Sequence, residues 1–247
     1  MSLLTPSNGN KRPESQTKLF LDLLLATFFD DQERVLEIAD RLEQGQQNLL
    51  RSSGSQIFLA PLALYRGLAA IQGWWKHHSH HTLQAWRYKR RLKKHLEDLN
   101  DYVEKRGWQF AQHMLFLLEA CENATTTIIT KKKNKKEIVL HSFEKTIKAC
   151  HRNNEEHYIY HAALASEFAA RYLEHNHHDE EMEAKEYWEK AHGFYQEWGA
   201  WGKVRDLETA KLFPTQAPTA RGGPRSPNNN NQQQPTTHHT NNNTTPS

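Results

Sequence analysis

Two histidine-rich bends are the first places where this chain could do chemistry. HHSHH supplies His77, His78, His80 and His81, and HNHHD supplies His175, His177, His178 and Asp179. Imidazole nitrogens and a carboxylate are donors that zinc or nickel accepts. Neither bend is an HExxH helix: His77 and His81 have the i, i+4 spacing but no glutamate follows the first histidine, and a turn between helices fixes ligand geometry poorly. The expectation is a pair of solvated connectors with no structural or catalytic metal and no cofactor.

Two basic stretches come next. WRYKRRLKKH, from Trp86 to His95, brings Arg87, Arg90, Arg91, Lys93 and Lys94 close together beside an aromatic ring, and KKKNKK spans Lys131 to Lys136. Cations with an interleaved aromatic can touch phosphates and stack on a base. The helical stripe through this region buries Tyr88 and Leu92 and turns Arg87, Arg91 and Lys94 outward, and Glu97, Asp98 and Asp101 follow directly. A solvated basic face is the simpler expectation. A nucleic-acid-binding helical array using residues 86–95 and 131–136 is the alternative, and acidic partners suit both stretches.

Other chemistries find no footing. The one superficial phosphate-loop candidate, Gly202-Lys203, is followed by Val204 and has Glu197 where the first glycine belongs. No kinase glycine loop, HRD or DFG is present. Histidines and carboxylates are too abundant for any triad to be singled out. Cys121 and Cys150 lie in no CxxC or Cys/His ligand spacing, which suits a reducing compartment. Placed near the ends of successive antiparallel helices, they should lie about 20 Å apart as free thiols. No enzyme is expected.

The elements that must carry these residues are helices. Hydrophobic residues make up 37% of the chain and charged residues 25%, enough for one core, and the net charge of +3 implies no general attraction to polyanions. Residues 1–15 and 214–247 are rich in Pro, Asn, Gln, Thr and Ser and are expected to be disordered. Between them apolar residues recur at three and four, with no sustained β-branched alternation.

KLFLDLLLATFF, from Lys18 to Phe29, is too short to span a bilayer and is interrupted by Asp22, so it is expected to be a buried helix with Leu21, Leu24, Leu25 and Phe28 on one face. No membrane partner is expected. The FFDDQE turn starts a helix carrying Val35, Ile38, Ala39 and Leu42. Further pairs are expected at about Gln56–Trp75 and Thr82–Arg106, at Trp108–Glu122 and Lys136–Asn153, and at Glu156–Glu174 and Glu180–Trp198. A short last helix is expected from Gly199 to about Leu212. Ala85, Tyr88, Leu92, Leu96, Leu99 and Val103 form one stripe, and Val139, Phe143 and Thr146 another. Ala184, Trp188 and Ala191 face Ala165, Ala169 and Tyr172 as core packing, and Trp198 closes the end. The architecture expected over residues 16–213 is all-α, with TPR-like stacked antiparallel helix pairs and about nine helices; a helical bundle is the alternative.

ALASEFAARYL, YWEKAHGFYQEWGAWGKVRDLE and the upstream FFDDQERVLEIADRLE resemble the tetratricopeptide-like region of large signalling proteins. Those proteins contain a predicted ATPase of the AAA/STAND type, often after a serine/threonine-kinase-like domain, and continue into GAF and histidine kinase modules. The resemblance runs over roughly residues 17–213 and is strongest after residue 137. It is carried by Ala163, Leu164, Ala165, Glu167, Ala169, Ala170, Arg171 and Tyr172, and by Ala191, Tyr195, Trp198, Gly199, Ala200, Lys203, Val204 and Leu207. The threonine- and lysine-rich segment at residues 124–136 and the His-rich bends depart from the family pattern. The resemblance implies a non-catalytic connector and interaction array. The expected function is a protein–protein interaction scaffold in signal transduction, inside the cell and in the cytoplasm, with a protein partner.

Overall fold

Local signals set several helix starts in the computed structural model, which describes residues 15–29, 31–50, 58–77, 83–130, 135–151, 158–176 and 180–212. The Ser15 side chain accepts a hydrogen bond from the Lys18 amide at 3.2 Å and caps α1, Gln16–Phe28. Asp31 accepts from the Arg34 amide at 3.2 Å and caps α2, Gln32–Leu50. There follow α3 (Leu59–His77), α4 (Leu83–Asn100), α5 (Gln112–Thr130), α6 (Lys136–Cys150), α7 (Ile159–Asn176), α8 (Glu181–Trp198) and α9 (Trp201–Leu207). α4 runs into a wide turn at Asp101–Lys105, and α9 ends in another at Glu208–Leu212. Gly199 ends α8 at φ 78°, a left-handed conformation that favours glycine. Among the described residues the protein is all-α, with nine α-helices and no strand, and no helix is long and apolar enough to cross a membrane. The polar ends 1–14 and 213–247 and the loop tracts lie outside the described residues.

Helices pack as the pairs α1/α2, α3/α4, α5/α6 and α7/α8, while α1 also packs on α3, α3 on α5 and α5 on α7. Of these, α3 and α7 are the most enclosed. From Leu59 to Trp75 every residue of α3 except Pro61 is buried, and so is every residue of α7 from His161 to Ala170. Two glycines permit the close approaches around α3. A Cβ at Gly67 would stand 2.6 Å from the Leu118 side chain of α5, and one at Gly73 would stand 2.9 Å from both Leu36 and Tyr88. The first and eighth helices meet as well: Phe28 of α1 packs on Tyr195 and Trp198 of α8, with ring centroids 6.1 and 5.1 Å apart.

Three expectations need correction. Leu21 and Leu25 do not line the buried face of α1 but are each 53% exposed, while Leu19, Leu23, Ala26 and Phe28 turn inward. The helix is apolar nearly all round, so its pattern contains no phase, and contacts with the other helices select the buried side. The threonine run at residues 124–130 is helix rather than loop. Thr125 and Thr127 are buried, and the Thr125 hydroxyl donates to the Cys121 carbonyl at 2.8 Å, so packing overrides weak helix propensity. Cys121 therefore lies midway along α5, and the argument for a 20 Å separation from Cys150, which needed Cys121 at a helix end, no longer holds.

Both thiols are free and buried, and burial raises both, Cys150 to about 12. A thiol-specific chromogenic reagent should leave both untouched in the native protein and titrate both in denaturant without reductant. A reactive thiol under native conditions would contradict the packing of α5 on α6.

Candidate functional site

The surface residues singled out by sequence converge on the outer side of α4. Its inner stripe of Ala85, Leu92, His95 and Leu99 is buried against its neighbours. That fixes the opposite face, where Arg87, Lys89, Arg90, Lys93 and Lys94 are exposed and Trp86 is 60% exposed. The Arg90 guanidinium sits 5.7 Å from the centre of the Trp86 ring. Trp86, Arg87, Arg90, Arg91, Lys93, Lys94 and Glu97 line one open trough. Lys93 reaches Glu97 at 3.8 Å, an exposed i, i+4 pair that contributes little.

Arg91 lines the same trough but is committed to a neighbouring helix. It stands beside the buried stripe, half-buried, and its guanidinium pairs with Asp40 of α2 at 2.5 Å. The second basic stretch contributes less than its composition suggests. Lys136 is held by Glu180 and by Glu183, the latter at 2.6 Å, so it ties α6 to α8. Lys131 to Asn134 lie outside the described residues.

The histidine bends divide in the same way. His77 ends α3 and stacks on Tyr88 at 5.9 Å, and His175 near the end of α7 lies 5.9 Å from Trp75. His78, His80, His81, His177, His178 and Asp179 fall outside the described residues, among which no three His, Cys, Asp or Glu side chains group to hold a metal ion.

Side chains assigned to packing are placed as follows. Ala165, Ala169 and Tyr172 on α7, and Ala184, Trp188 and Ala191 on α8, are all buried on two helices packed together. The Trp188 indole N–H donates to Glu174 at 2.8 Å. Trp198 is not a core residue. It is 44% exposed, because it closes α8 at a corner where only its inner side meets Phe28, Tyr160 and Tyr195.

Two buried polar assemblies had not been anticipated. In the first, Glu167 of α7, 3% exposed, accepts hydrogen bonds from Arg171 at 2.6 Å, Tyr195 at 2.7 Å and Lys203 at 3.0 Å. Burial alone would raise this carboxyl, but Arg171, Lys203 and the Tyr195 hydroxyl outweigh it and hold it below its usual range. Burial and the Glu167 charge keep the Tyr195 phenol protonated, so it donates. A lone acid inside ALASEFAARYL was the available signal.

In the second, His113 Nε2 and His161 Nδ1 are 2.8 Å apart, and His161 Nε2 is 3.5 Å from the Tyr65 hydroxyl. Tyr158 stacks on His113 at 3.9 Å and Tyr160 lies against His161 at 4.1 Å. One proton can occupy the bond between the rings, so at least one nitrogen there must be bare. Burial lowers both histidines, His113 to about 4, and His113 further disfavours charge on His161. Hydrogen-bonded imidazoles beside a phenol form a proton-relay arrangement, yet all three side chains are sealed in the core, where a relay has no reactant to serve.

The sign of the pH effect follows from linkage. Both histidines are neutral in the folded chain and charge near pH 6.5 when unfolded, so the unfolded state takes up protons first as pH falls. Their contribution is fully present above about pH 6.5 and is lost progressively toward pH 4. Wild-type stability over His113→Gln should therefore shrink between pH 7.5 and pH 5 in urea melts. An equal difference at both pH values would mean that the pair does not titrate in this way.

A comparison of the chain with protein-family models, curated proteins and solved structures finds no match.

Proposed function

We propose that this chain is a non-catalytic helical scaffold of TPR-like character, which holds an acidic protein partner on the outer face of α4. The reading rests on one observation above the others: Trp86 lies open among Arg87, Arg90, Lys93 and Lys94 on a helix whose inner side is fully occupied. Trp and Arg dominate binding energy at protein interfaces, and cations around an exposed ring favour a carboxylate-rich surface. The pairing of odd and even helices supports the repeat-like part of the reading. So does the meeting in space of Glu167, Arg171, Tyr195 and Lys203, the polar residues that carry the resemblance to the connector region of ATPase and histidine kinase sensors. By that resemblance the scaffold works in signal transduction inside the cell.

Nucleic acid remains the second reading. It is disfavoured because Lys136 is already engaged by Glu180 and Glu183, which leaves the second basic stretch weaker than its sequence suggests. Capture from nuclease-treated lysate of the protein's own cells, with wild type and a Trp86→Ala/Arg87→Glu/Arg90→Glu variant, separates the two. Acidic proteins held by wild type should be lost by about tenfold or more in the variant. Equal recovery would remove α4 as the contact face. Loss seen only without nuclease, together with salt-steep binding of a labelled oligonucleotide, would favour nucleic acid.

A further inference from the structure

A second surface, remote in chemistry from α4, lies where the end of α1 meets the turn between α8 and α9. Phe29, Trp198 and Trp201 are 49%, 44% and 58% exposed there. Phe29 and Trp198 do not simply protrude. The Trp198 ring rests on Phe28 and on Tyr160, with centroids 5.1 and 5.6 Å apart, and Phe28 in turn rests on the buried Tyr195. The Phe29 ring lies over Gly202, where a Cβ would stand 3.5 Å from it. The left-handed Gly199 reverses the chain between the two tryptophans and so sets both at the same corner. Among the described residues nothing accepts a hydrogen bond from either indole N–H. Open rings on a rigid aromatic floor with free indole donors suit a proline-rich strand: its pyrrolidines stack on the rings and its carbonyls accept from the indoles.

The chain itself contains such a strand. FPTQAPTARGGPRSP places Pro214, Pro218, Pro224 and Pro227 directly after the last described helix. From Trp201 to Leu212 the helical path is about 17 Å at 1.5 Å per residue. A polyproline strand returning at about 3.1 Å per residue covers that distance in about six residues. Pro218 is thus the first proline able to return to Trp201, with Pro224 and Pro227 beyond it. Charge agrees in sign on the Phe29 and Trp198 side: the only Lys or Arg residues after Lys211 are Arg221 and Arg225, and the exposed carboxylates of Asp31 and Glu197 follow Phe29 and precede Trp198 in sequence. On the Trp201 side the exposed Arg205 donates to the Trp201 carbonyl at 3.3 Å.

We infer that the Phe29–Trp198–Trp201 corner is a polyproline-binding site, and that its occupant is this chain's own segment from Pro218 to Pro227. Tethering raises the local concentration of the segment to the millimolar range, so modest affinity is enough to keep the site filled. An outside proline-rich peptide must then compete with the tail.

The test uses a fluorescein-labelled peptide of residues 213–230 and fluorescence anisotropy, with three full-length proteins. The first is wild type; the second has Pro218, Pro224, Pro227, Arg221 and Arg225 changed to Ser; the third adds Trp201→Ala to the second. The second should bind the peptide at least about tenfold more tightly than wild type, because its own tail no longer competes. The third should lose about tenfold or more of that gain. Glu197→Lys in the second background, a change at an exposed position, should weaken binding about threefold and guards against misfolding of the Trp201 variant. Equal binding by wild type and the tail variant would overturn the inference, as would no binding by the tail variant. Binding indifferent to both Trp201→Ala and Glu197→Lys would also overturn it. So would a wild-type dimer in sedimentation equilibrium that the tail substitutions dissolve, since the tail would then dock on a second copy.

Discussion

Glu167→Ala should lower the unfolding free energy by about 3–5 kcal/mol, because it leaves the buried Lys203 ammonium without its carboxylate. Lys203 is 4% exposed, and Glu167 is the carboxylate its Nζ meets, at 3.0 Å. Tyr195 loses the acceptor of its hydroxyl in the same step, which adds the cost of an unmet buried donor. The double change Glu167→Leu/Lys203→Met should recover most of the loss, since an apolar pair of similar volume removes both desolvation costs. Urea melts at pH 7.5 of wild type, the single variant and the double variant provide the comparison. A single variant as stable as wild type would show that water reaches this cluster and that it does not fasten α9 to α7.

Trp188→Ala should cost about 3–5 kcal/mol, the range for large aromatics removed from cores. The indole is 3% exposed, its N–H is given to Glu174, and Lys211 lies 5.1 Å from its ring centre. Its loss therefore opens a cavity between α7 and α8 and frees a carboxylate that Lys211 still pairs with at 2.8 Å. His175→Ser/His177→Ser/His178→Ser should stay within about 1 kcal/mol, as surface changes usually do. Thermal unfolding by circular dichroism with and without chelator compares the three. A chelator-sensitive wild type, with the triple variant destabilised as much as Trp188→Ala, would mean that the HNHHD bend holds a metal.

How legible the chain was depended on distance along it. Where one helix face is polar, periodicity states which side goes in: Val35, Ile38, Ala39 and Leu42 of α2 are all buried, as are Ala85, Leu92, Leu99 and Val103 from α4 and its extension. Where a helix is apolar all round, as in α1, the side was not legible, and Leu21 and Leu25 came out on the surface. The basic face was legible in composition but not in membership, because Arg91 is claimed by an aspartate 51 residues away. Glu167 with Lys203, and His113 with His161, escaped for the same reason. Each partner looks like an ordinary helical residue, and only the pairing across 36 or 48 positions makes it a buried polar cluster. Cysteine placement failed through propensity: threonines that read locally as a loop are held in α5 by burial.

The contact of Phe28 with Tyr195 and Trp198 changes how the molecule should come apart. A stack in which each repeat touches only its neighbours loses its end units first, one at a time. Here the first helix and the last pair share a wall, so neither end can loosen without exposing the other. Amides of α1 and α8 should then exchange with solvent through the same opening event, with equal free energies and equal denaturant slopes. Neither α1 nor the α7/α8 pair can then be shed alone, and damage at Phe28 is felt about 170 residues further along the sequence as directly as it is next door.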